Sequence, residues 1–447
     1  MIRYCLAILF FTANLHALKI EITKGDVRPD PIAVVEFNNP DGFVTADKTD
    51  LGEGIAKVLI NDLEASGLFV AIGKSAFLQT VDSLVKDGPI MNNWRPLKAR
   101  FLVYGEVKRK DKDSDKITIS FRLFDVLTGQ QMQGLSYNGE QKNWRRMTHI
   151  MADSIYGRAT GETGVFDSKI VFIEDMNNDR KNPKKRMMIM DWDGFNPQEL
   201  TDGKNLVLTP RVSPDAQKVA YLAYINQQPR VYIMDLKNKS SPKELGHFPG
   251  MTLAPRFSPD SSKVVMSYEK DGASAVYIMD VASGKKDQLT EHRCIDTSPC
   301  YSPDGNQIVF VSDRDGPKPQ LFVMDTSGGN VRRISFGKGG SRYFQPAWSP
   351  RGDLIAFTKQ VDCTFYIGVM SPDGTGERLI AQGYMVESPT WSPNGRYIMY
   401  SREGSIRDKS QIDMIDLTGR NRRRIATQKG ATDGSWSPLM TSIMAND

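Results

Sequence analysis

Beyond about residue 165 the chain falls into short, nearly continuous apolar runs separated by polar turns, and the runs recur in sets. One set reads KIVFIED, KVAYLAY, KVVMSY, QIVFVSD, LIAFTK and YIMYSR, starting at Lys169, Lys218, Lys263, Gln307, Leu354 and Tyr397. The next reads RMMIMD, VYIMD twice, LFVMD, YIGVM and IDMID, starting at Arg186, Val231, Val276, Leu321, Tyr366 and Ile412. Runs this short and apolar at consecutive positions predict strands buried on both faces, as in sheets stacked against neighbouring sheets. More polar pieces, QELT at Gln198, RRIS at Arg332, ERLI at Glu377 and RRIA at Arg423, suggest a fourth strand in four of the sets.

A Ser-Pro pair precedes five of these sets and also ends the chain's last strand. Its serines are Ser213, Ser258, Ser302, Ser349, Ser392 and Ser437, so the steps are 45, 44, 47, 43 and 45 residues. That period is the length of one four-stranded propeller blade. Ser, Pro, Asp or Asn, and Gly in succession suit a type I turn, so each copy ends one strand and begins the next. The first set, from Lys169, has no Ser-Pro copy ahead of it, while the last copy, SWSP at Ser435 to Pro438, has no set behind it. Pairing these remnants closes a six-bladed ring and removes the exposed edges. The closing residues TSIMAND read as a strand stub or a tail.

The first half has a different texture. Arg3 precedes an apolar run from Tyr4 to Leu15, and Leu15-His16-Ala17 approximates a cleavage site, so residues 1–17 read as an export signal. A dozen helical residues span about 18 Å, short of the roughly 30 Å hydrocarbon core. Leu18, Ile20 and Ile22 then alternate with Lys19, Glu21 and Thr23, the pattern of a half-buried strand. PIAVVEF at Pro31 predicts a buried strand. Asp50 caps a helix with Leu51, Ile55, Val58, Leu59 and Leu63 on its apolar face, ended by Gly67. Strands follow at Leu68, Phe101 and Ile117, with a last helix from about Trp144 to Tyr156. Residues 18–160 thus form a small α/β domain, Gly157 to Gly164 a linker, and residues 165–447 the propeller.

Composition changes this picture little. The 447 residues carry 58 Lys and Arg against 53 Asp and Glu, a net charge of +5, with the signs interspersed. That balance favours a solvated surface over nucleic-acid binding. RNRRR at Arg420 to Arg424 reads as an exposed edge that could also touch an acidic partner. Cys294, Cys300 and Cys363 remain after export; an odd count favours free thiols over a Cys294–Cys300 bridge.

Catalytic chemistry finds little footing. Beyond the signal only His149, His247 and His292 occur, and no nucleophile elbow, metalloprotease helix motif or P-loop is present. Asp215, Asp260 and Asp304 repeat at equivalent turn positions, which is a structural use. No cofactor or metal is expected. The residues just before each inner strand, by contrast, differ from blade to blade and ring the channel mouth: Met251, Thr252, Thr297, Tyr343, Gln345, Glu387 and Asp433. Aromatics, methionines and acids on a fixed scaffold suit a protein anchor site; Tyr343, Phe344 and Met385 also suit a plug of the channel mouth.

The start LKIEITKG, then PIAVVEF, LVYGEV, TGETGVFDSKIVFI, MDWDGFNPQELT and the serial Ser-Pro-Asp blades resemble, in one order over nearly the whole chain after the signal, the TolB family of Gram-negative Tol-Pal systems. The resemblance implies a monomeric, non-enzymatic periplasmic scaffold in outer-membrane integrity and cell division. It implies that the ring binds the lipoprotein Pal, with the rim residues above on the Pal face. It also implies that Leu18, Lys19, Ile20, Glu21, Ile22 and Thr23 engage TolA, and that some colicins exploit the protein. The rival is a carbohydrate-binding or hydrolase-associated secreted propeller.

Overall fold

The computed structural model describes residues 28–440, apart from 111–114, 178, 226–227, 239–240, 247–249 and 338–339. The export signal, the segment Leu18 to Thr23 and the terminal TSIMAND lie outside the described residues. Six four-stranded antiparallel sheets form the propeller. Blade 2 is typical: Leu206–Val212, Lys218–Ile225, Gln228–Asp235 and Lys243–Glu244, from the axis outward. In blade 1 the inner strand is Gly430–Trp436, from the end of the chain, paired with Lys169–Asp175 from its middle. The predicted closure therefore holds, with Trp436 opposite Ile170 and Gly430 opposite Asp175.

Each Ser-Pro turn is held by the bonds its residue types supply. In blade 4 the Gly305 N–H donates to Ser302 O at 3.0 Å, the bond of the predicted turn. Ser302 Oγ accepts from Gln307 N at 2.9 Å and donates to Asp304 Oδ1 at 2.5 Å. These contacts, the serine bond first, hold the Asp304 carboxyl below its usual range. The fourth turn residue takes a left-handed φ, +74° at Gly305 and +53° at Ala216, which is why glycine is frequent there.

The amino-terminal domain is a five-stranded sheet in the order Phe69–Ala71, Asp30–Val34, Phe101–Arg109, Lys116–Asp125, Gln131–Glu140. Helices α1 (Leu51–Ala65) and α3 (Trp144–Thr160) pack together and share one core with the sheet, and α2 (Val81–Asp87) belongs to a second cluster. Asp50 caps α1 as predicted, its Oδ1 accepting from Glu53 N at 3.1 Å. The expected linker is shorter than the glycines suggested. Helix α3 runs through Gly157 to Thr160 and stops at Gly161, whose φ of +75° ends it.

The two domains share one core. Leu59, Leu63, Met151 and Ile155 pack in the same buried cluster as Phe166, Ile170, Trp192, Tyr397 and Trp436 of the propeller. Polar contacts pin this junction: Tyr397 Oη donates to Ser66 O at 2.8 Å, and Asn394 Nδ2 to Thr163 O at 2.8 Å. Both propeller residues lie at the Ser-Pro turn of blade 6. The α/β domain therefore covers the turn face of blades 6 and 1, and the opposite ends of the inner strands lead to the other rim.

Candidate partner interface at the channel rim

The residues expected as loops ahead of the inner strands prove to be the first residues of those strands, which span Met251–Phe257, Asp296–Tyr301, Arg342–Trp348, Met385–Trp391 and Gly430–Trp436. A β-bulge in each makes the extra length possible. Pairing slips between Leu253 and Arg256, Thr297 and Cys300, Phe344 and Ala347, Glu387 and Thr390, and Thr432 and Ser435. In all six blades the residue four places before the turn serine adopts a left-handed φ of 47° to 55°: Thr209, Ala254, Ser298, Gln345, Ser388 and Asp433. None is glycine, so each costs on the order of 1 kcal/mol, and a bulge re-aims its side chain.

Three of these side chains join across blades. Gln345 Oε1 accepts from Ser388 N at 2.8 Å and from Thr358 Oγ1 at 3.1 Å. Ser388 Oγ donates to Asp433 Oδ1 at 3.0 Å, and Asp433 N donates to Ser401 Oγ at 2.8 Å. The chain of bonds links blades 5, 6 and 1 through side chains from three inner strands. Beside it, burial together with the Asp433 and Glu403 charges pushes Glu387 up to about 7.

The predicted rim residues do not all serve alike. Met251 is exposed, and Thr297, Gln345, Glu387 and Asp433 are half-buried. Thr252 is buried, its Oγ1 accepting from Val231 N at 2.9 Å, so it ties blade 3 to blade 2. Tyr343 is fully buried: its ring packs on Phe357 and its Oη donates to Glu377 Oε2 at 2.9 Å. Alternation along a strand turned it from the rim into the interblade core. Ile295 and Tyr384 add exposed apolar surface, 50% and 45% exposed, beside Met251 at 37%. Ser388, missed in the sequence, had a signal: in five of six copies the bulge residue precedes a proline.

The remaining candidate chemistry is structural. Cys294 and Cys300 are free thiols; Cys294 Sγ lies 3.4 Å from Asp296 Oδ1 and Cys300 Sγ accepts from Trp348 N. His149, Asp191 and Asp193 bring ligand atoms within 4.8 Å of one another at the domain junction. Their carboxylates are engaged by Lys169, Asn196 and Arg145. His149 Nδ1 in turn bonds Asp62 Oδ2 at 2.6 Å. Among the described residues no helix is long and apolar enough to cross a membrane.

A closed six-bladed propeller with Ser-Pro turns, joined through a shared core to an α/β domain, defines a two-domain propeller protein. Residues 18–132 match the TolB amino-terminal domain, and residues 156–440 match the TolB beta propeller domain. The chain belongs to the TolB family of the Tol-Pal system. It is 42% identical to the Tol-Pal system protein TolB of Gluconobacter oxydans (strain 621H), over 94% of this chain and 88% of that relative. The crystal structure of TolB from Acinetobacter baumannii superposes with a TM-score of 0.81 at 26% identity, covering 92% of this chain and 97% of that one.

Proposed function

We propose that this chain is a periplasmic, non-enzymatic scaffold of the Tol-Pal system that docks the lipoprotein Pal on the open propeller rim and TolA through Leu18 to Thr23, supporting outer-membrane integrity and constriction at division. One observation carries the Pal reading. The rim remote from the α/β domain combines exposed Met251, Ile295 and Tyr384 with a rigid polar network at Gln345, Ser388 and Asp433. Apolar anchors around pre-ordered polar groups are the chemistry of a protein hot spot. A scaffold reading is also supported by the histidines: His149 is buried in the domain junction, and His292 packs between Tyr268 and Tyr277.

Calorimetric titration with Pal tests the rim. Met251→Ala and Glu387→Ala should each weaken binding by about 2 kcal/mol; unchanged affinity in both variants moves the site elsewhere. For TolA, an extended terminal strand can add to a partner sheet. Deleting residues 18–25 should abolish TolA capture while Pal still binds, and retained capture refutes that part.

A further inference from the structure

The sheet of the α/β domain has a second face. Alternation along its strands sends Val103, Val107, Ile119, Phe121 and Leu123 into the core shared with α1, α3 and the propeller. Their neighbours point the other way, where Leu102, Tyr104 and Phe124 pack in the cluster of α2. On this outer face the register of strands Phe101–Arg109, Lys116–Asp125 and Gln131–Glu140 sets six residues in two rows of three. One row is Tyr104, Arg122 and Gly134, and the other is Glu106, Ser120 and Ser136. All six line a cavity of about 370 Å³, with Val85 of α2 in its wall.

The polar groups of this cavity do not satisfy one another. Tyr104 is 2% exposed, and its Oη has no hydrogen-bond partner among the described residues. Arg122, at the centre of its row, forms no ion pair and no side-chain hydrogen bond among the described residues. Glu106 is its diagonal neighbour on the same face, a spacing of about 7–8 Å. The two do not pair. Glu106 instead accepts from Asn38 Nδ2 on Oε1 at 3.1 Å and meets Lys108 Nζ on Oε2 at 2.6 Å. Ser120 and Ser136 bond each other, Oγ to Oγ, at 2.8 Å. Gly134 keeps the space beside Arg122 open, since a Cβ there would meet Gln131 Nε2 at 2.7 Å.

Arg122 and Glu106 thus occupy one diagonal of a square whose other diagonal is Tyr104 and Ser120. Unlike charges set side by side without bonding, with hydroxyls at the remaining corners, match a ligand that carries both charges. We propose that this cavity binds a zwitterion of about dipeptide size, its carboxylate on Arg122 and its ammonium on Glu106. The planar fork of the guanidinium suits a carboxylate. The Glu106–Lys108 pair is exposed on its lysine side, so a ligand ammonium can share or displace it at little cost. The three hydroxyls supply neutral donors and acceptors around the charged ends. A volume near 370 Å³ is at the small end of ligand cavities, which suits a short peptide or an amino acid. The site lies on the sheet face opposite the propeller and does not depend on the Pal reading.

Calorimetric titration of the full protein with L-alanyl-L-alanine tests this, beside the N-acetylated dipeptide, which lacks the ammonium, and the dipeptide amide, which lacks the carboxylate. The wild type should bind the dipeptide saturably and each blocked form about tenfold more weakly. Arg122→Gln should bind the dipeptide and its amide alike, and Glu106→Gln the dipeptide and its N-acetylated form alike. Each substitution removes the partner of the group that the blocking removes, so the two losses do not add. Arg122 is exposed and a glutamine at 106 can still accept from Asn38, so both variants should melt close to the wild type. Absence of saturable binding at millimolar dipeptide overturns the proposal. So does equal binding of the three peptides by the wild type, or discrimination between them that survives undiminished in both variants.

Discussion

Ser437 and Lys169, 268 residues apart in the chain, hold each other by two reciprocal bonds: Lys169 N donates to Ser437 Oγ and Ser437 N to Lys169 O, both at 2.8 Å. The same pair of bonds joins Ser213 to Lys218 and Ser258 to Lys263 across a single turn. In blade 1 the ring is sealed by the bonding pattern of a Ser-Pro turn whose connecting chain is missing. Closing so long a segment is entropically costly, so side-chain burial must support the seam.

Trp436 supplies much of that support, being buried with its Nε1 donating to Ser168 Oγ at 2.8 Å. Trp436→Ala should destabilise the protein by about 3–5 kcal/mol. Urea denaturation followed by far-UV circular dichroism measures the loss, and a cost below about 1 kcal/mol would show that the seam holds without it.

At the domain junction Asp62, fully buried, accepts from Trp192 Nε1 at 3.2 Å and meets His149 Nδ1 at 2.6 Å. Asp62→Ala strands both partners and should cost about 3–5 kcal/mol. Calorimetry of Asp62→Ala should show separate unfolding transitions for the α/β domain and the ring.

The same pair makes docking sensitive to pH. Burial opposes the charge of His149, yet the Asp62 carboxylate and its hydrogen bond outweigh it and raise the imidazole above its usual value. The raised imidazole means that the folded state holds this proton more tightly than the unfolded one, so stability falls as pH rises through the folded value. Melting temperatures of the wild type should decline from mildly acid pH upward more steeply than those of His149→Asn.

Glu387 has the same sign at the rim. With its carboxyl raised from 4.5 to about 7, its contribution is complete below 4.5 and lost as pH rises through 7. Glu387→Gln should flatten the melting profile over that window; an unchanged slope would show that the carboxyl is already ionised in the fold.

Tyr343 and Met251 should separate stability from binding. Tyr343→Ala removes a fully buried ring and should cost about 3–5 kcal/mol of stability, while Tyr343→Phe should leave Pal affinity unchanged. Met251→Ala should do the reverse, leaving denaturation within about 0.5 kcal/mol of wild type.

The blades were legible because strand runs and Ser-Pro turns are short-range patterns. The serine, proline and aspartate that shape a turn are neighbours in sequence, as at Ser302 to Asp304. Closure was legible too, since a first blade lacking its inner strand and a spare inner strand at Ser435 to Pro438 leave an arrangement without open edges. The bulges were not: a left-handed φ at Gln345, just before a proline, opposes the local preference of both residues. Only the stacking of six blades around an axis sustains it.

The rim residues show the same divide. Sequence placed Met251, Thr252, Tyr343 and Glu387 in loops ahead of the inner strands, and the structure has them within the first residues of those strands. It could not say that Tyr343 and Thr252 turn inward while Ile295 and Tyr384 stay out, because an inserted bulge residue shifts which side chains face the neighbouring blade. The repeat, the number of blades and the order of domains follow from contacts between near neighbours and from counting strands. The shared core of the two domains, the polar network across blades 5, 6 and 1 and the choice of exposed side chains depend on packing between segments far apart in the chain, and only the folded chain brings those surfaces together.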